Sequence, residues 1–341
     1  MLFEISVPSK TFLLGEYIAL DGGPSILAST PKRFRLKIKS RQITTFDSTV
    51  DQDSHTKEGC GIKYINKSLK WLHPKSPAGR WVIKNPKAFR HFEFEFIDPY
   101  GGSGGLGASS AQFVLMYVWD KIQSDPSIFD LKDFNLQKLW QDYQKLFETD
   151  SRPPSGADII SQFVGGVTVF QSSPFLVERL TWPFENESFC LLKTKNKITT
   201  HDHLNHLKNR EFGEMKPIVI KAVEALKKDE PFEFLLATQQ FYKCLQSYKL
   251  VSRQTSALVN HLMGAGSVLG VKGCGAMGAD VLFVLCEKPH LTSLRQLTQV
   301  VGLEWIASSE DLCGGIQVKI EFDWQKNKPG SKDSYSEVNH V

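Results

Sequence analysis

Alternating hydrophobic and polar residues mark two strands in the first hundred residues. Residues 33–39, RFRLKIK, alternate strictly between apolar side chains and Arg or Lys, and residues 92–96, FEFEF, alternate in the same way. This period of two is typical of strands with one buried and one solvated face, which belong to antiparallel or mixed sheets. Because edge strands commonly carry such charges, the four cations of 33–39 predict a solvated face that protects a sheet edge.

Helical periodicity follows the second strand. Apolar residues at Phe113, Val114, Tyr117 and Val118 predict a helix over about 109–123. Residues 131–147 carry a broad apolar stripe and predict a second helix. A stretch rich in proline and glycine, SRPPSGADIISQFVGG, then leads to a predicted strand at Val167–Phe170.

The remaining chain alternates strands with helix pairs. The predicted strands are 188–193, 281–286 and 315–322, the predicted helices lie near 203–228, 232–247, 251–263 and 291–301, and a glycine-rich segment spans 264–279. Residues 47–61 are polar and predict a loop. The sequence pattern changes between Pro174 and Pro183, and we expect a domain boundary there. This order of elements favours an α+β fold.

Composition narrows the class of protein. With 341 residues and 41% hydrophobic residues the chain is long enough for two domains. Its formal charge of +4 is too small to indicate nucleic-acid binding, but it suits an anionic small molecule. Six scattered cysteines without a CxxC pair predict free thiols. Since neither a signal peptide nor an apolar run of membrane-spanning length is present, we expect a cytoplasmic protein that contacts neither nucleic acid nor membrane.

A glycine-rich loop, GGSGGLGASSAQ at 101–112, carries the candidate chemistry. Gly102, Gly104 and Gly107 match GxGxxG, yet no strand with a terminal acidic residue follows about 20 positions later, so a dinucleotide site is disfavoured. The loop contains no lysine, which excludes a Walker motif. Glycines before a helix N-terminus can still bind phosphate through backbone amides. Alternatively, the glycines only allow a tight turn and the serines only cap the helix.

The histidines of HDHLNH, residues 201–206, are the other cluster with possible chemistry. Only His203 and His206 share a helix face, and no cysteine or carboxylate at ligand spacing completes a tetrahedral set with them and His201. The preceding Thr199 and Thr200 favour a helix cap instead. We therefore do not expect a transition-metal site here.

Four segments together resemble the GHMP kinases, the superfamily that includes galactokinase, homoserine kinase, mevalonate kinase and phosphomevalonate kinase. They are PSKTFLLGEYIALDGGPSI (8–26), GGLGASSAQ (104–112), PPSGAD (153–158) and KGCGAMGADVLFVL (272–285), in the order and spacing of that superfamily. The resemblance implies a two-domain α+β fold. A mixed-sheet N-terminal nucleotide-binding domain would span 1–180 and a ferredoxin-like C-terminal domain 181–323, followed by a polar tail at 324–341.

The segment KTFLLGEY followed by GGP looks most like the mevalonate kinase and phosphomevalonate kinase branch. The resemblance implies transfer of the γ-phosphate of ATP to the hydroxyl of mevalonate, with Mg²⁺ as cofactor. Asp158 would take or orient the hydroxyl proton, and Lys10 would favour the ionised carboxylate, as a neighbouring cation does. Taken singly, Asp158 would only cap the helix-like ADIISQF.

The resemblance also assigns binding residues. The nucleotide phosphates would contact Gly102, Gly104, Gly105, Leu106, Gly107, Ala108, Ser109 and Ser110. The acceptor would contact Glu16, Tyr17, Ser155 and Gly156, and the metal would contact Ser109 and Glu148.

Several positions depart from the superfamily pattern and keep alternatives open. Ala108 stands where a serine is usual, Tyr17 replaces a histidine, Phe147 takes the slot aligned with the metal ligand, and Met277 and Asp280 replace glycine or small residues, although Gly275, Ala276 and Gly278 fit. Because methionine does not easily adopt positive φ, the loop around Met277 is expected to differ or not to need that conformation.

These departures leave two alternatives to mevalonate kinase. One is phosphomevalonate kinase. Its substrate carries an extra phosphate, for which Lys193, Lys195 and Lys197 would supply cations. The other is a catalytically weakened binding protein of the same fold. A diphosphomevalonate decarboxylase is disfavoured by GEY. The expected partner is a small-molecule alcohol, and the sequence is also compatible with a homodimer.

Overall fold

The computed structural model describes residues 2–41, 62–102, 105–129, 131–150, 152–194, 211–278 and 280–321. Its strands are Leu2–Leu14 (β1), Ser25–Ser40 (β2), Phe92–Ile97 (β3), Val167–Ser172 (β4), Phe175–Leu180 (β5), Glu187–Lys193 (β6), Val268–Cys274 (β7), Val281–Glu287 (β8), Glu304–Ser308 (β9) and Gln317–Glu321 (β10). Its α-helices are Ile62–Ile65 (α1), Pro77–Lys84 (α2), Ala108–Ser124 (α3), Leu136–Gln144 (α4), Ala157–Val164 (α5), Lys216–Lys228 (α6), Pro231–Ser247 (α7), Arg253–Met263 (α8) and Leu291–Val300 (α9).

The first sheet has the strand order β10-β1-β2-β4-β5, and β3 also pairs with β2. Every pairing between these described strands is antiparallel, so the N-terminal sheet is antiparallel and not mixed as predicted. The expectation that 33–39 forms an edge was also wrong, because β2 lies between β1 and β3. Lys37 pairs with Glu4 on one side and with Glu95 on the other. Lys37 therefore faces opposite charges on both neighbouring strands, each pair contributing about 0.2–1 kcal/mol.

Helix α3 forms the centre of the N-terminal core. Phe113 and Trp119 are fully buried, and the Trp119 indole packs edge-on against Phe92 with ring centroids 4.8 Å apart. Its Nε1 donates a hydrogen bond to the Ala88 carbonyl oxygen at 3.0 Å, so the polar atom of this buried ring is satisfied. Packing on this face fixes the direction of α3 and brings its N-terminus to β1, where the amide of Lys10 donates to the carbonyl oxygen of Leu106 at 3.1 Å.

The second sheet has the strand order β7-β8-β6-β9, and all of its described pairings are antiparallel. This is the order of a ferredoxin-like domain, as the resemblance implied. The C-terminal domain predicted over 181–323 differs from the structure at its end. Strand β10 lies within that range but pairs with β1 in the first sheet. The chain thus returns to its starting strand after the second domain is complete.

Element boundaries depart from prediction where local signals compete with periodicity. The helix predicted over 131–147 is α4 flanked by 3-10 turns at Leu131–Asp133 and Lys145–Phe147. The side chain of Asn135 accepts a hydrogen bond from the Lys138 amide at 2.8 Å and so begins α4 later than the apolar stripe does. The glycine-rich segment 264–279 contains strand β7, which is largely buried. This strand was not predicted, because its glycines interrupt the hydrophobic pattern.

Some expectations concern residues outside the described ranges. They are the loop at 47–61, Cys60, Gly104, Lys195, Lys197, the histidines of 201–206, the start of the helix predicted from 203, and the tail at 324–341. In the ranges that are described, no helix combines the length and apolarity needed to cross a membrane.

The five cysteines in the described ranges are free thiols, as expected. Burial raises the pKa of Cys274 to about 11 and that of Cys286 to about 11. At pH 8 about 0.1% of either group would be thiolate, the reactive form. We therefore expect the native protein to leave both thiols unmodified by a thiol-specific disulfide reagent at pH 8, whereas the partly exposed Cys244 and Cys313 react first.

This expectation is checked by labelling followed by peptide mass spectrometry, with the denatured chain as the control in which all six cysteines of the sequence react. Rapid labelling of Cys274 or Cys286 in the folded protein would contradict it.

Candidate active site

A buried lysine and an accessible carboxylate meet where α5 packs against β1. Lys10 lies in β1 and Asp158 in the first turn of α5, and the Lys10 Nζ atom is 2.5 Å from Asp158 Oδ1. The Lys10 side chain is 9% exposed and that of Asp158 is 38% exposed. The structure therefore brings the two predicted catalytic residues together and leaves the carboxylate open to a ligand.

Helix α4 fixes the segment that presents Asp158. Trp140 Nε1 donates to the Ser155 carbonyl oxygen at 2.9 Å, and Gln144 Nε2 donates to the Pro154 carbonyl oxygen at 2.7 Å. Gly156, with φ of 78°, is the N-cap of α5, so Asp158 is not the cap residue. The alternative that Asp158 merely caps this helix was wrong.

The predicted acceptor residue Ser155 also has a local role, because its Oγ accepts a hydrogen bond from the Ala157 amide at 3.2 Å. Tyr143 lies behind Asp158. Burial raises the pKa of Tyr143, and the charge of Asp158 raises it further. The phenol is therefore neutral and adds no charge near Asp158.

The glycine loop lies directly against this pair. Gly107 is the N-cap of α3 with φ of 94°, and no side chain caps the helix there. A Cβ atom at Gly107 would lie 2.9 Å from Gln162 Nε2 and 3.1 Å from Lys10 Cγ. Gln162 Nε2 donates to the carbonyl oxygens of Pro8 at 3.0 Å and Gly107 at 3.1 Å, which holds β1 and the loop together. A helix N-terminus without a capping side chain suits an anion.

The two serines after the loop are now distinguished. Ser110 is buried and its Oγ donates to the Gly107 carbonyl oxygen at 3.0 Å. Ser109 is exposed in the first turn of α3, and Ala108 is the first residue of that helix. Of the two hydroxyls, that of Ser109 is the one placed to contact a ligand at the helix N-terminus.

The carboxylate of Asp98, just before the glycine loop, fixes the backbone where the loop begins. Asp98 Oδ1 accepts from the Tyr100 amide at 2.8 Å, and Asp98 Oδ2 accepts from the Gly102 amide at 3.0 Å. No atom of the described residues lies within 4 Å of a Cβ atom built on Gly101 or Gly102. The ammonium groups of Lys32 and Lys193 lie 5.0 Å and 5.3 Å from the centroid of the Tyr100 ring. Two cations therefore lie beside the start of the loop, and one of them, Lys32, also pairs with Glu304 at 3.6 Å.

The predicted acceptor residues Glu16 and Tyr17 follow β1. Glu16 Oε1 is 2.9 Å from Nζ of Lys272, a lysine in β7 that sequence reasoning did not select. Burial lowers the pKa of Lys272, whereas the Glu16 carboxylate and the hydrogen bonds to Glu16 and the Cys274 sulfur raise it, so this pKa lies above the ordinary value. In the sequence Lys272 is the first residue of the segment KGCGAMGADVLFVL, and nothing local marks it as the partner of Glu16.

Tyr17 packs into the interface between the two domains. Its ring centroid is 5.3 Å from that of Phe212, and it hydrogen-bonds to the backbone of Met277. Burial raises the pKa of Tyr17, and the charge of Glu16 raises it further. The Arg152 guanidinium lies 5.5 Å from the centroid of the same Phe212 ring and pairs with Asp21 at 2.6 Å. Arg152, just before PPSGAD, was also missed from the sequence.

The third motif departs from the superfamily in sequence and carries strain. Met277 has φ of 53°, so a side chain that disfavours the left-handed region adopts it here. Such a residue costs about 1–2 kcal/mol. The Asp280 side chain lies between two glycines, since its Cβ is 2.8 Å from a Cβ built on Gly105 and its Oδ2 is 2.8 Å from one built on Gly275. Asp280 therefore fills the space between the two loops and requires glycine on both sides.

The predicted metal ligands are less well defined by the structure. Glu148 is exposed in a turn directly after the buried Phe147. Within the described ranges no group of three or more His, Cys, Asp or Glu side chains could hold a metal ion. Mg²⁺ is usually bound by one or two protein carboxylates together with substrate phosphates and water. The oxygen donors of Ser109 and Glu148 suit such an ion, and their role remains a prediction.

The fold and the arrangement of these loops define the class of structure: the chain has the GHMP kinase fold. No protein-family model matches the chain, and no curated protein matches it in sequence.

Several solved kinases share this fold. Phosphomevalonate kinase from Streptococcus pneumoniae, in complex with phosphomevalonate and AMPPNP, is similar with a TM-score of 0.64 and 15% identity, over 89% of this chain and 98% of that one. Lactococcus lactis galactokinase complexed with galactose has a TM-score of 0.67 and 14% identity, over 93% and 95%. Methanococcus jannaschii mevalonate kinase has a TM-score of 0.62 and 15% identity, over 89% and 97%.

Proposed function

We propose that the protein is an ATP-dependent kinase that transfers the γ-phosphate of ATP to the hydroxyl of mevalonate. The observation that carries this proposal is the Lys10–Asp158 pair, 2.5 Å apart, with the Lys10 stem against Gly107 of the glycine loop. A proton acceptor, a cation and a helix N-terminus suited to an anion thus adjoin one another. Phosphoryl transfer depends mainly on such positioning and on charge stabilisation.

Each group has a defined part in the proposed reaction. The acceptor oxygen forms a bond to the γ-phosphorus while the bond from that phosphorus to the oxygen bridging to the β-phosphate breaks, and ADP leaves. Asp158 accepts the hydroxyl proton, which its partial exposure allows. Lys10 stabilises negative charge on the transferred group, and the N-terminus of α3 binds the nucleotide phosphates.

Mg²⁺, when bound, would neutralise charge on the phosphates. Ser109 and Glu148 are the residues we propose to hold it, because both supply the oxygen donors that this ion prefers. The exposed hydroxyl of Ser109 in the first turn of α3 supports its assignment over Ser110.

A second candidate acceptor is phosphomevalonate. The observation in its favour is Lys193, whose ammonium lies beside Tyr100 together with that of Lys32. Cationic side chains at the start of the loop suit a substrate pair that carries one more phosphate, although Lys32 also pairs with Glu304 at 3.6 Å. The similarity of the fold to a phosphomevalonate kinase is compatible with this candidate.

The test is a coupled assay of ADP formation with purified protein, Mg²⁺-ATP and either mevalonate or phosphomevalonate. We expect ADP formation that depends on mevalonate, with galactose and homoserine as control alcohols that stay silent. Turnover with phosphomevalonate alone would favour the second candidate. Binding of Mg²⁺-ATP without transfer to any of these alcohols would overturn the proposal and favour a catalytically weakened binding protein.

A further inference from the structure

An ion pair almost without solvent contact joins the two domains near the proposed acceptor site. The Lys272 side chain is 0% exposed and that of Glu16 is 7% exposed, and they meet at 2.9 Å between Nζ and Oε1. Lys272 belongs to β7 of the second sheet, whereas Glu16 follows β1 of the first, six positions after Lys10. The pair therefore connects the second domain to the segment that carries the proposed catalytic lysine.

Glu16 is the counter-charge of this lysine. The Cys274 sulfur also lies 3.5 Å from Lys272 Nζ, but burial raises the pKa of Cys274 to about 11, so this group is a neutral thiol at physiological pH. The ring of Phe241 lies 5.6 Å from the same ammonium. An ammonium in such surroundings is strongly destabilising unless a carboxylate compensates it. Glu16 is thus held in place by an interaction that the fold requires.

Only one oxygen of the Glu16 carboxylate is used in this way. Oε2 is buried, and no residue of the described ranges donates a hydrogen bond to it. Buried carboxylate oxygens normally have donors, because an unsatisfied one costs the full desolvation penalty. An oriented carboxylate with one oxygen engaged and the other unsatisfied is suited to accept a hydrogen bond from a bound molecule.

We propose that Lys272 is a positioning residue, which holds Glu16 by Oε1 so that Oε2 accepts a hydrogen bond from a hydroxyl of the phosphoryl acceptor. This inference rests on the proposed kinase function. Because the ammonium balances the charge of Glu16, the pair is neutral as a whole. It therefore accepts a hydroxyl without repelling a carboxylate elsewhere on the acceptor, so a hydroxy acid such as mevalonate is compatible with it.

The test uses Lys272→Met, Glu16→Gln and the double variant Glu16→Gln/Lys272→Met. The probe is mevalonate, or phosphomevalonate if that is the acceptor the unaltered protein phosphorylates. KM for the acceptor, KM for ATP and the midpoint of urea unfolding are measured for each protein. Lys227→Met is the matched control, because Lys227 forms an exposed ion pair with Glu178 that also joins the two domains.

Each single variant leaves one buried charge without a partner and should lower the unfolding midpoint. The double variant leaves neither charge, so its midpoint should return towards that of the unaltered protein. We expect acceptor KM to rise at least about tenfold in Lys272→Met and to stay raised in the double variant, since the amide that replaces the Glu16 carboxylate is no longer oriented; tenfold corresponds to about 1.4 kcal/mol. KM for ATP should stay within about threefold of that of the unaltered protein, which corresponds to less than about 1.4 kcal/mol.

The outcomes separate the inference from the proposed function. If the double variant regains both stability and acceptor KM, or if Lys272→Met folds with an unchanged acceptor KM, the inference fails while the kinase assignment stands. An equal rise in KM for ATP would also overturn it, because Lys272 would then act on the whole cleft. If the unaltered protein phosphorylates neither acceptor, the proposed function fails and the inference fails with it. The double variant keeps the test decisive should a single variant not fold.

Discussion

Replacing Asp158 with asparagine is expected to lower kcat by about 10²- to 10⁴-fold, the usual contribution of a positioned general base. The amide has nearly the shape of the carboxylate, and its oxygen still accepts a hydrogen bond from Lys10. This hydrogen bond replaces the 2.5 Å ion pair, so the first turn of α5 should keep its position. What the amide cannot do is take up the hydroxyl proton. Affinity for Mg²⁺-ATP, measured by calorimetry, should change by no more than about threefold, which is under 1.4 kcal/mol.

Asp150→Asn is the matched control for this variant. Asp150 is 32% exposed, close to the 38% of Asp158, and forms an ion pair with Arg80 at 3.6 Å. Surface pairs of this kind contribute about 0–1 kcal/mol, so the control should keep nearly full activity. If Asp158→Asn retained the turnover of the control, Asp158 would not be the base, and the carboxylate would only anchor Lys10.

Replacing Gly107 with alanine is expected to damage both the fold and nucleotide binding. At φ of 94° an L-residue is strained by about 1–2 kcal/mol. The new methyl group would also lie 2.9 Å from Gln162 Nε2 and 3.1 Å from Lys10 Cγ, and such overpacking costs about 1–3 kcal/mol more. Displacement of Lys10 and of the α3 N-terminus should weaken Mg²⁺-ATP binding at least about tenfold, equivalent to about 1.4 kcal/mol. Calorimetry and urea unfolding measure the two effects.

Gly101→Ala separates backbone strain from steric contact. Gly101 also has positive φ, at 57°, but no described residue has an atom within 4 Å of a Cβ atom built there. We expect this variant to lose about 1–2 kcal/mol of stability and to keep its affinity for nucleotide. Should the two alanine variants behave alike, the close approach of Lys10 to Gly107 would have no functional weight.

The parts of the site that could be predicted are those whose chemistry is local. The glycine loop before a helical stripe indicated an anion site, and the superfamily pattern selected Lys10 and Asp158, which the structure places in contact. Lys272 could not be found in the same way. A lysine within β7 looks like a polar interruption until the fold brings Glu16 to it across 256 positions of sequence.

For the fold, too, the local features could be predicted from the sequence and the tertiary ones could not. Alternation identified 33–39 as a strand, but nothing local shows how many neighbours a strand has, and the edge prediction was therefore wrong. The expectation at Met277 was overturned because tertiary contacts outweighed the backbone preference of methionine: its carbonyl oxygen accepts from the Ser252 amide at 3.0 Å and its backbone also bonds Tyr17. Local propensity describes a residue alone, whereas this loop is held by two neighbours.

The return of β10 to the first sheet has a consequence for how the chain can be divided. The strand that carries Lys10 is flanked by β2 on one side and by β10 on the other. Arg33 reinforces the closure by donating to the carbonyl oxygens of Gly314 at 3.0 Å and Gly315 at 2.5 Å. A fragment ending near residue 180 would expose the backbone of β1 along its pairing with β10, and bare strands of this kind associate with other chains. During synthesis β1 therefore gains its second neighbour only after residues 317–321 have been made.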